Sequence, residues 1–241
     1  MKKVFCNFVG IIVIAVVCES CIKIDCMNCT RGNGNLVTWE MPVFAFEKIK
    51  CSGVAEVRFH ASDEYRAIVT VDSNLEDYVE IFTKNNVLNI GTKKNVSCSF
   101  TRYLIEIHCP VLTGVSLDGF GSFEGMNMIT ASSFETTISG SGKIKGAIEC
   151  ESFSAKMSGF GEMTITGSSK DAHIVISGSG NFNGEEFVTK NATVNISGFG
   201  NAYIWVTDIL KVNISGSGNL YYSGEPKIES SVNGFGKIRK M

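Results

Sequence analysis

Histidine and proline are scarce in this chain, three of each in 241 residues, and charged residues make up only 19%. The histidines, His60, His108 and His173, are scattered, so they suggest neither a metal centre nor an acid–base pair. So few prolines, beside 25 glycines that fall mostly at regular intervals, argue for repeated turns over disordered linker. No nucleophile motif is present. No glycine cluster leads into Lys-Ser/Thr and a helix, so a phosphate-cradling loop is also missing. Beyond the first twenty residues, 20 basic side chains stand against 23 acidic ones, a net charge of about −3. A nucleic-acid partner would need a basic face, and this balance supplies none.

What the chain does have is Gly-x-Gly, seven times through its second half, with a middle residue that alternates. The copies are Gly119-Phe120-Gly121, Gly140-Ser141-Gly142, Gly159-Phe160-Gly161, Gly178-Ser179-Gly180, Gly198-Phe199-Gly200, Gly216-Ser217-Gly218 and Gly234-Phe235-Gly236. Successive first glycines are 21, 19, 19, 20, 18 and 18 residues apart. A period of that size without a helix-length apolar stripe predicts stacked β-coils. Aligned on the first glycine, Leu117, Ile138, Met157, Ile176, Ile196, Ile214 and Val232 stand two places before it. Phe123, Ile144, Met163, Phe182, Ala202, Leu220 and Ile238 stand four after it. Further columns lie four and six places before it, with mostly polar residues between. In–out alternation repeated at a fixed period stacks like residues into ladders. The fold class expected is all-β: a right-handed parallel β-helix, or β-solenoid, with coils of about 18–21 residues. A β-sandwich or barrel of short hairpins is the alternative, and four columns in constant register favour the solenoid.

The first twenty residues read as an export signal. Lys2 and Lys3 precede an apolar run from Phe5 to Val17, too short to span a bilayer permanently. Ser20-Cys21 then suggests lipoprotein cleavage with acylation of Cys21, although Cys18 occupies the place of the usual upstream aliphatic residue. The competing readings are an ordinary cleaved signal and a retained anchor. Residues 21–41 read as a tether, and 42–241 as a single β-solenoid domain. Within it, 42–118 holds irregular strands and 119–241 the regular repeats. Leu75 to Phe82 is the one stretch that suggests a short helix. Cys51-Ser52-Gly53-Val54-Ala55 looks like a degenerate first copy of the repeat.

Nine cysteines offer little chemistry. Cys26 and Cys29 form a lone CxxC without the second pair of a zinc site or the βαβ setting of a redox motif, so no metal or cofactor is expected. Cys51, Cys98, Cys109 and Cys150 sit in strand-like surroundings, where disulfides and buried thiols are equally reasonable in an exported chain.

A corner turned within three residues brings neighbouring backbones close, where glycine avoids a Cβ clash or supplies positive φ. Alternation through the corner points both glycines inward and the middle residue outward. Phe120, Phe160, Phe199 and Phe235 then form a surface row, with Ser141, Ser179 and Ser217 between them. An exposed row is a binding surface. The competing reading packs the rings under a flanking segment, and the cost of leaving phenylalanine in water favours that packing. Asn181, Asn201 and Asn219 suggest an asparagine ladder that satisfies turn backbone.

Glu47-Lys48-Ile49-Lys50-Cys51-Ser52-Gly53-Val54-Ala55-Glu56-Val57, Cys109-Pro110-Val111-Leu112 and the Ile-Ser-Gly-Ser-Gly-Asn/Lys units resemble the head-GIN-domain family of putative autotransporter adhesins, over about residues 43–241. The resemblance implies an exported or lipid-anchored β-helical envelope protein of the kind frequent in Bacteroides, and it brings no catalytic residues. The expectation is therefore a non-enzymatic scaffold at the cell surface or in the periplasm, anchored in the outer membrane. It would bind a glycan or protein along its long face and touch membrane only through its signal or lipid. β-Helical polysaccharide enzymes are the alternative, but Glu124, Glu162, Glu185 and Glu186 fall at differing offsets and read as solvated faces. Of these, Glu185-Glu186 is the one candidate carboxylate pair. Self-assembly into a homo-oligomer through the final coil is a third reading. Lys237, Arg239 and Lys240 would guard that strand edge.

Overall fold

The structure, a computed structural model, describes residues 29–94 and 97–241. The expected signal, the Cys21 lipid site and Cys26 lie outside the described residues. In chain order the strands are β1 (Cys29–Arg31), β2 (Leu36–Pro42), β3 (Lys48–Gly53), β4 (Glu56–Ala61), β5 (Arg66–Asp72) and β6 (Val79–Lys84). Next come β7 (Val87–Thr92), β8 (Ser97–Ser99), β9 (Tyr103–Cys109), β10 (Gly114–Gly119), β11 (Ser122–Gly125) and β12 (Ile129–Ile138). The last are β13 (Lys143–Met157), β14 (Glu162–Ile176), β15 (Asn181–Ile196), β16 (Ala202–Ile214), β17 (Leu220–Ser223), β18 (Lys227–Val232) and β19 (Ile238–Lys240).

From β10 onward every pairing is parallel, and each strand meets the next winding of the chain. This is a β-solenoid of stacked coils. The column two places before the glycines is one continuous pillar: Leu117 faces Ile138, then Met157, Ile176, Ile196, Ile214 and Val232. Its members are buried as far as Ile214, and Val232 on the last winding is 43% exposed. Each such side chain contributes about 1.5–3 kcal/mol by leaving water. The column after the corner runs likewise from Phe123 through Ile144, Met163, Phe182, Ala202 and Leu220 to Ile238.

The N-terminal strands extend this stack in an order the chain does not follow. β3 and β4 form a winding that lies beside β10 and β11 on one side and beside β7 and β9 on the other, parallel throughout. Ile90 and Cys51 thereby continue the pillar beneath Leu117. Gly53-Val54-Ala55 occupies the corner position below Gly119-Phe120-Gly121, as its resemblance to the repeat suggests. Antiparallel strands close this end: β2 on β5, β5 on β9 and β6 on β7. They cover edges that would otherwise invite pairing.

Two expectations need correction here. The segment expected to be a tether carries strands from Cys29, with β1 on β8 and β2 on β5. Asp72 pins the intervening loop by accepting hydrogen bonds from the backbone N–H groups of Gly34 and Thr101. The short helix expected over 75–82 is present only in its first half, as a 3-10 helix (Ser73–Tyr78), and β6 takes the rest. Asn85 and Asn86, at φ 53° and 60°, form the tight turn that folds β6 onto β7.

His60 and His108, expected to be scattered, stack on adjacent strands with ring centres 4.8 Å apart. Burial holds His108 below the ordinary imidazole range, helped by Arg66 and His60, while Glu106 and Glu64 pull the other way. Its folded pKa is therefore depressed, and the unfolded chain takes up the proton first as pH falls. Stability should decline below about pH 6.5, the unperturbed imidazole value. Denaturant midpoints measured from pH 7.5 to 5 check this. The His108→Gln variant should show a shallower decline, and an equal slope in both proteins would contradict the assignment.

Candidate functional site: the phenylalanine ridge

The corners are fastened winding to winding by backbone hydrogen bonds. The N–H of Phe120 donates to Gly53 O, Ser141 to Gly119 O, Phe160 to Gly140 O and Ser179 to Gly159 O. Phe199, Ser217 and Phe235 continue the series onto Gly178, Gly198 and Gly216 at 2.9 Å each. The middle residues therefore form a straight file. The need for glycine is steric: a Cβ on Gly198 would overlap the carbonyl of Gly178, and one on Gly200 the carbonyl of Gly180. Among the fourteen corner glycines only Gly119 has positive φ, so close approach dominates over conformational freedom. The second glycine of each corner is buried and the middle residue faces out.

The packed reading of the phenylalanines is overturned. Phe120 is 76% exposed, Phe160 77%, Phe199 73% and Phe235 89%. Among the described residues no flanking segment covers them. At about 4.8 Å per winding, the rings stand roughly 10 Å apart along one edge, with the small serines between. Val54, half exposed, is the corresponding residue on the winding below Phe120. On one flank lie Ser139, Ser158, Ser177, Ser197 and Ser215. On the other, Asn181, Asn201 and Asn219 form the expected ladder. Asn181 Oδ1 accepts from the Asn201 backbone N–H at 3.0 Å and from its amide at 3.3 Å. Asn219 repeats this on Asn201, and Lys237 N–H closes the series on Asn219 Oδ1. The amides hold the corner rather than reaching for a ligand.

A second group of aromatics went unread in the sequence. Tyr203 and Tyr221 stack outside the next face, with centroids 4.8 Å apart and planes 8° from parallel, and Trp205 lies 43% exposed nearby. Tyr203 borders a shallow cavity of about 680 Å³ that also takes in Glu162, Asn183, Glu185 and Glu186. Its origin is a bulge: between Gly184 and Val188, β15 carries more residues than its neighbour β16. The 20-residue step from Gly178 to Gly198, longer than the steps of 19 and 18 on either side of it, was the available signal.

Of the candidate acids, Glu162, Glu185 and Glu186 share this cavity and Glu124 lies apart from it. Glu124 pairs with Lys145, and Glu162 with Lys143 and Asn183. Glu185 and Glu186 stand exposed on the bulge, and His173 lies exposed on a different winding from the stacked histidines. The thiols of Cys29, Cys51, Cys98, Cys109 and Cys150 are free. Burial pushes Cys51 and Cys109 up to about 12 and Cys150 to about 11, which leaves them protonated and inert. Among the described residues no group of histidine, cysteine and carboxylates could hold a metal ion. Among them, too, no helix is long and apolar enough to cross a membrane.

Residues 45–226 match the family model described as "Putative auto-transporter adhesin, head GIN domain". The chain belongs to this family. Solved structures share its fold. A putative adhesin from Bacteroides fragilis superposes with a TM-score of 0.82 at 21% identity, covering 88% of this chain and 99% of that one. One from Parabacteroides distasonis gives 0.73 at 24% identity, again covering 88% and 99%. A third, also from Parabacteroides distasonis and named a putative lipid binding protein, gives 0.73 at 27%, covering 88% and 98%. No curated protein matches the chain. The family model's description names adhesins.

Proposed function

We propose that the protein is a non-enzymatic, adhesin-like scaffold of the cell envelope that holds an external glycan or protein along the phenylalanine ridge. In this reading the chain is exported and anchored through a lipid on Cys21, and the solenoid presents its long edge away from the membrane. One observation carries it: four phenylalanines of one file remain 73–89% exposed. Exposed apolar side chains that recur with the fold's own period are a costly surface to keep without an occupant. The serine and asparagine positions on the flanks add hydrogen-bonding groups beside the rings.

Glycan arrays and pull-downs from envelope fractions, run with the native protein and with the Phe160→Ser/Phe199→Ser double variant, test the proposal. Binding by the native protein that drops about tenfold or more in the variant supports it. Vesicles form a further arm, since one related structure carries a lipid-binding name. Binding that survives loss of both rings would sink the ridge as the site. Turnover of a polysaccharide, abolished by a single point mutation, would replace the scaffold with an enzyme.

A further inference from the structure

We infer that the ridge is also self-complementary, and that two copies of this chain pair along it antiparallel, each phenylalanine entering a serine gap of the other. The inference does not rest on the ligand reading above. It uses only the shape and charge of the ridge, and the paired state would hide that ridge from any ligand.

The gaps have the right width. Neighbouring phenylalanines are two windings apart, about 10 Å, and a ring inserted over the intervening serine lies about 4.8 Å from each. Aromatic pairs favour centroid separations of roughly 4.5–7 Å. A file of phenylalanine on every winding would leave no room, and a file without serines would offer no gap. The alternation supplies knobs and holes of one period.

The register follows from the residues beside the file. A two-fold axis parallel to the solenoid axis would set each winding against itself, with Phe160 on Phe160 and Ser179 on Ser179, so that knobs meet knobs and gaps meet gaps. An axis across the ridge reverses the second copy. The eight positions from Val54 to Phe235 then pair end for end: Val54 meets Phe235 of the second copy, Phe120 meets Ser217, Ser141 meets Phe199, and Phe160 meets Ser179. Each contact occurs twice, as a closed isologous dimer requires. In that register Glu56 lies opposite Lys237, Lys143 opposite Asn201 and Glu162 opposite Asn181. The other flank sets Asp118 against Ser215 and otherwise carries only serine and asparagine. No like charges meet. Sliding the copies by two windings toward the C-terminal end would oppose Lys143 to Lys237 and strand Phe120, so the first register is preferred. Eight rings at roughly 150–200 Å² each cover about 1,200–1,600 Å², near the lower limit of about 1,200–2,000 Å² for specific interfaces. The dimer is therefore weak and concentration-dependent.

Sedimentation velocity of the full chain, expressed and processed in a bacterial host, over a concentration series tests this. The native protein should move from monomer to dimer. Phe160→Ser/Phe199→Ser should raise the dissociation constant by about tenfold or more. The decisive variant is Ser179→Phe, which adds apolar surface yet fills the central gap. It should weaken the dimer as well, whereas an indiscriminately sticky edge would associate more strongly. Far-UV circular dichroism confirms that these surface variants fold. A native protein that stays monomeric throughout, a dimer indifferent to the phenylalanines, or stronger association of Ser179→Phe would each overturn the inference.

Discussion

Replacing Gly198 with alanine should destabilise the protein by about 2–3 kcal/mol, an overpacking cost unusual for a residue in a surface turn. The added Cβ has nowhere to go. It would overlap the carbonyl oxygen and carbon of Gly178 and the Ser177 carbonyl on the winding below, all of them backbone. A side chain could rotate aside, but a carbonyl that accepts the Phe199 N–H at 2.9 Å cannot move without breaking the corner ladder. Equilibrium denaturation measures the change through a shifted midpoint at constant slope. Ser179→Ala in the neighbouring corner is the control and should stay within about 0.5 kcal/mol, as surface changes do. A Gly198→Ala protein as stable as that control would mean the windings are not so closely stacked.

The pillar predicts a still larger loss. Ile176 is fully buried between Met157 and Ile196, and windings fixed by hydrogen bonds on both sides leave it no freedom to collapse. Truncation to alanine there should cost about 3–4 kcal/mol, from lost transfer energy and the cavity left behind. The same kind of change at the top of the pillar, Val232→Ala, should cost under about 1 kcal/mol, because that side chain is already 43% exposed. The contrast matters more than either value. A solenoid buries each residue against the windings on either side, so a central residue loses two partners and a terminal one loses a single partner. Equal losses at the two positions would contradict a stacked architecture.

Much of this was legible in the sequence, because a solenoid is local in the sense that matters: winding n packs on winding n+1. The fixed offsets of Ile138, Ile176 and Ile214 from their glycines reported the pillar directly. The N-terminal third obeys no such rule. The β3–β4 winding sits between strands that come later in the chain, and period-two alternation says that Ile49 and Cys51 point inward without saying which strand lies beside them. β2 escaped notice because it lies at the cover, where its alternating burial is only partial. In the stretch 75–82, Leu75, Val79 and Phe82 have helical spacing, but the Asn85-Asn86 turn and pairing with β7 decided for a strand. Transfer energy argued for burying the phenylalanines. It describes what a side chain prefers, and the corner geometry gives these four no inward path, since the adjoining glycines occupy the inner side. Tyr203 and Tyr221 were lost for a different reason: they stand at an outward position that the earlier windings fill with Glu124, Lys145, Thr164 and Asn183.

The central claim, that successive windings place corner residues directly above one another, is tested most directly by disulfide trapping along the ridge. In the Ser179→Cys/Phe199→Cys variant the two Cα atoms should lie about 5 Å apart, inside the range a disulfide spans, and in Ser179→Cys/Ser217→Cys about 10 Å apart, outside it. Under mild oxidation of dilute protein, peptide mapping should find the first bond formed within one chain and the second missing. Failure of the first pair to close, or equal closure of both, would contradict the stacking on which the ridge and its proposed roles depend.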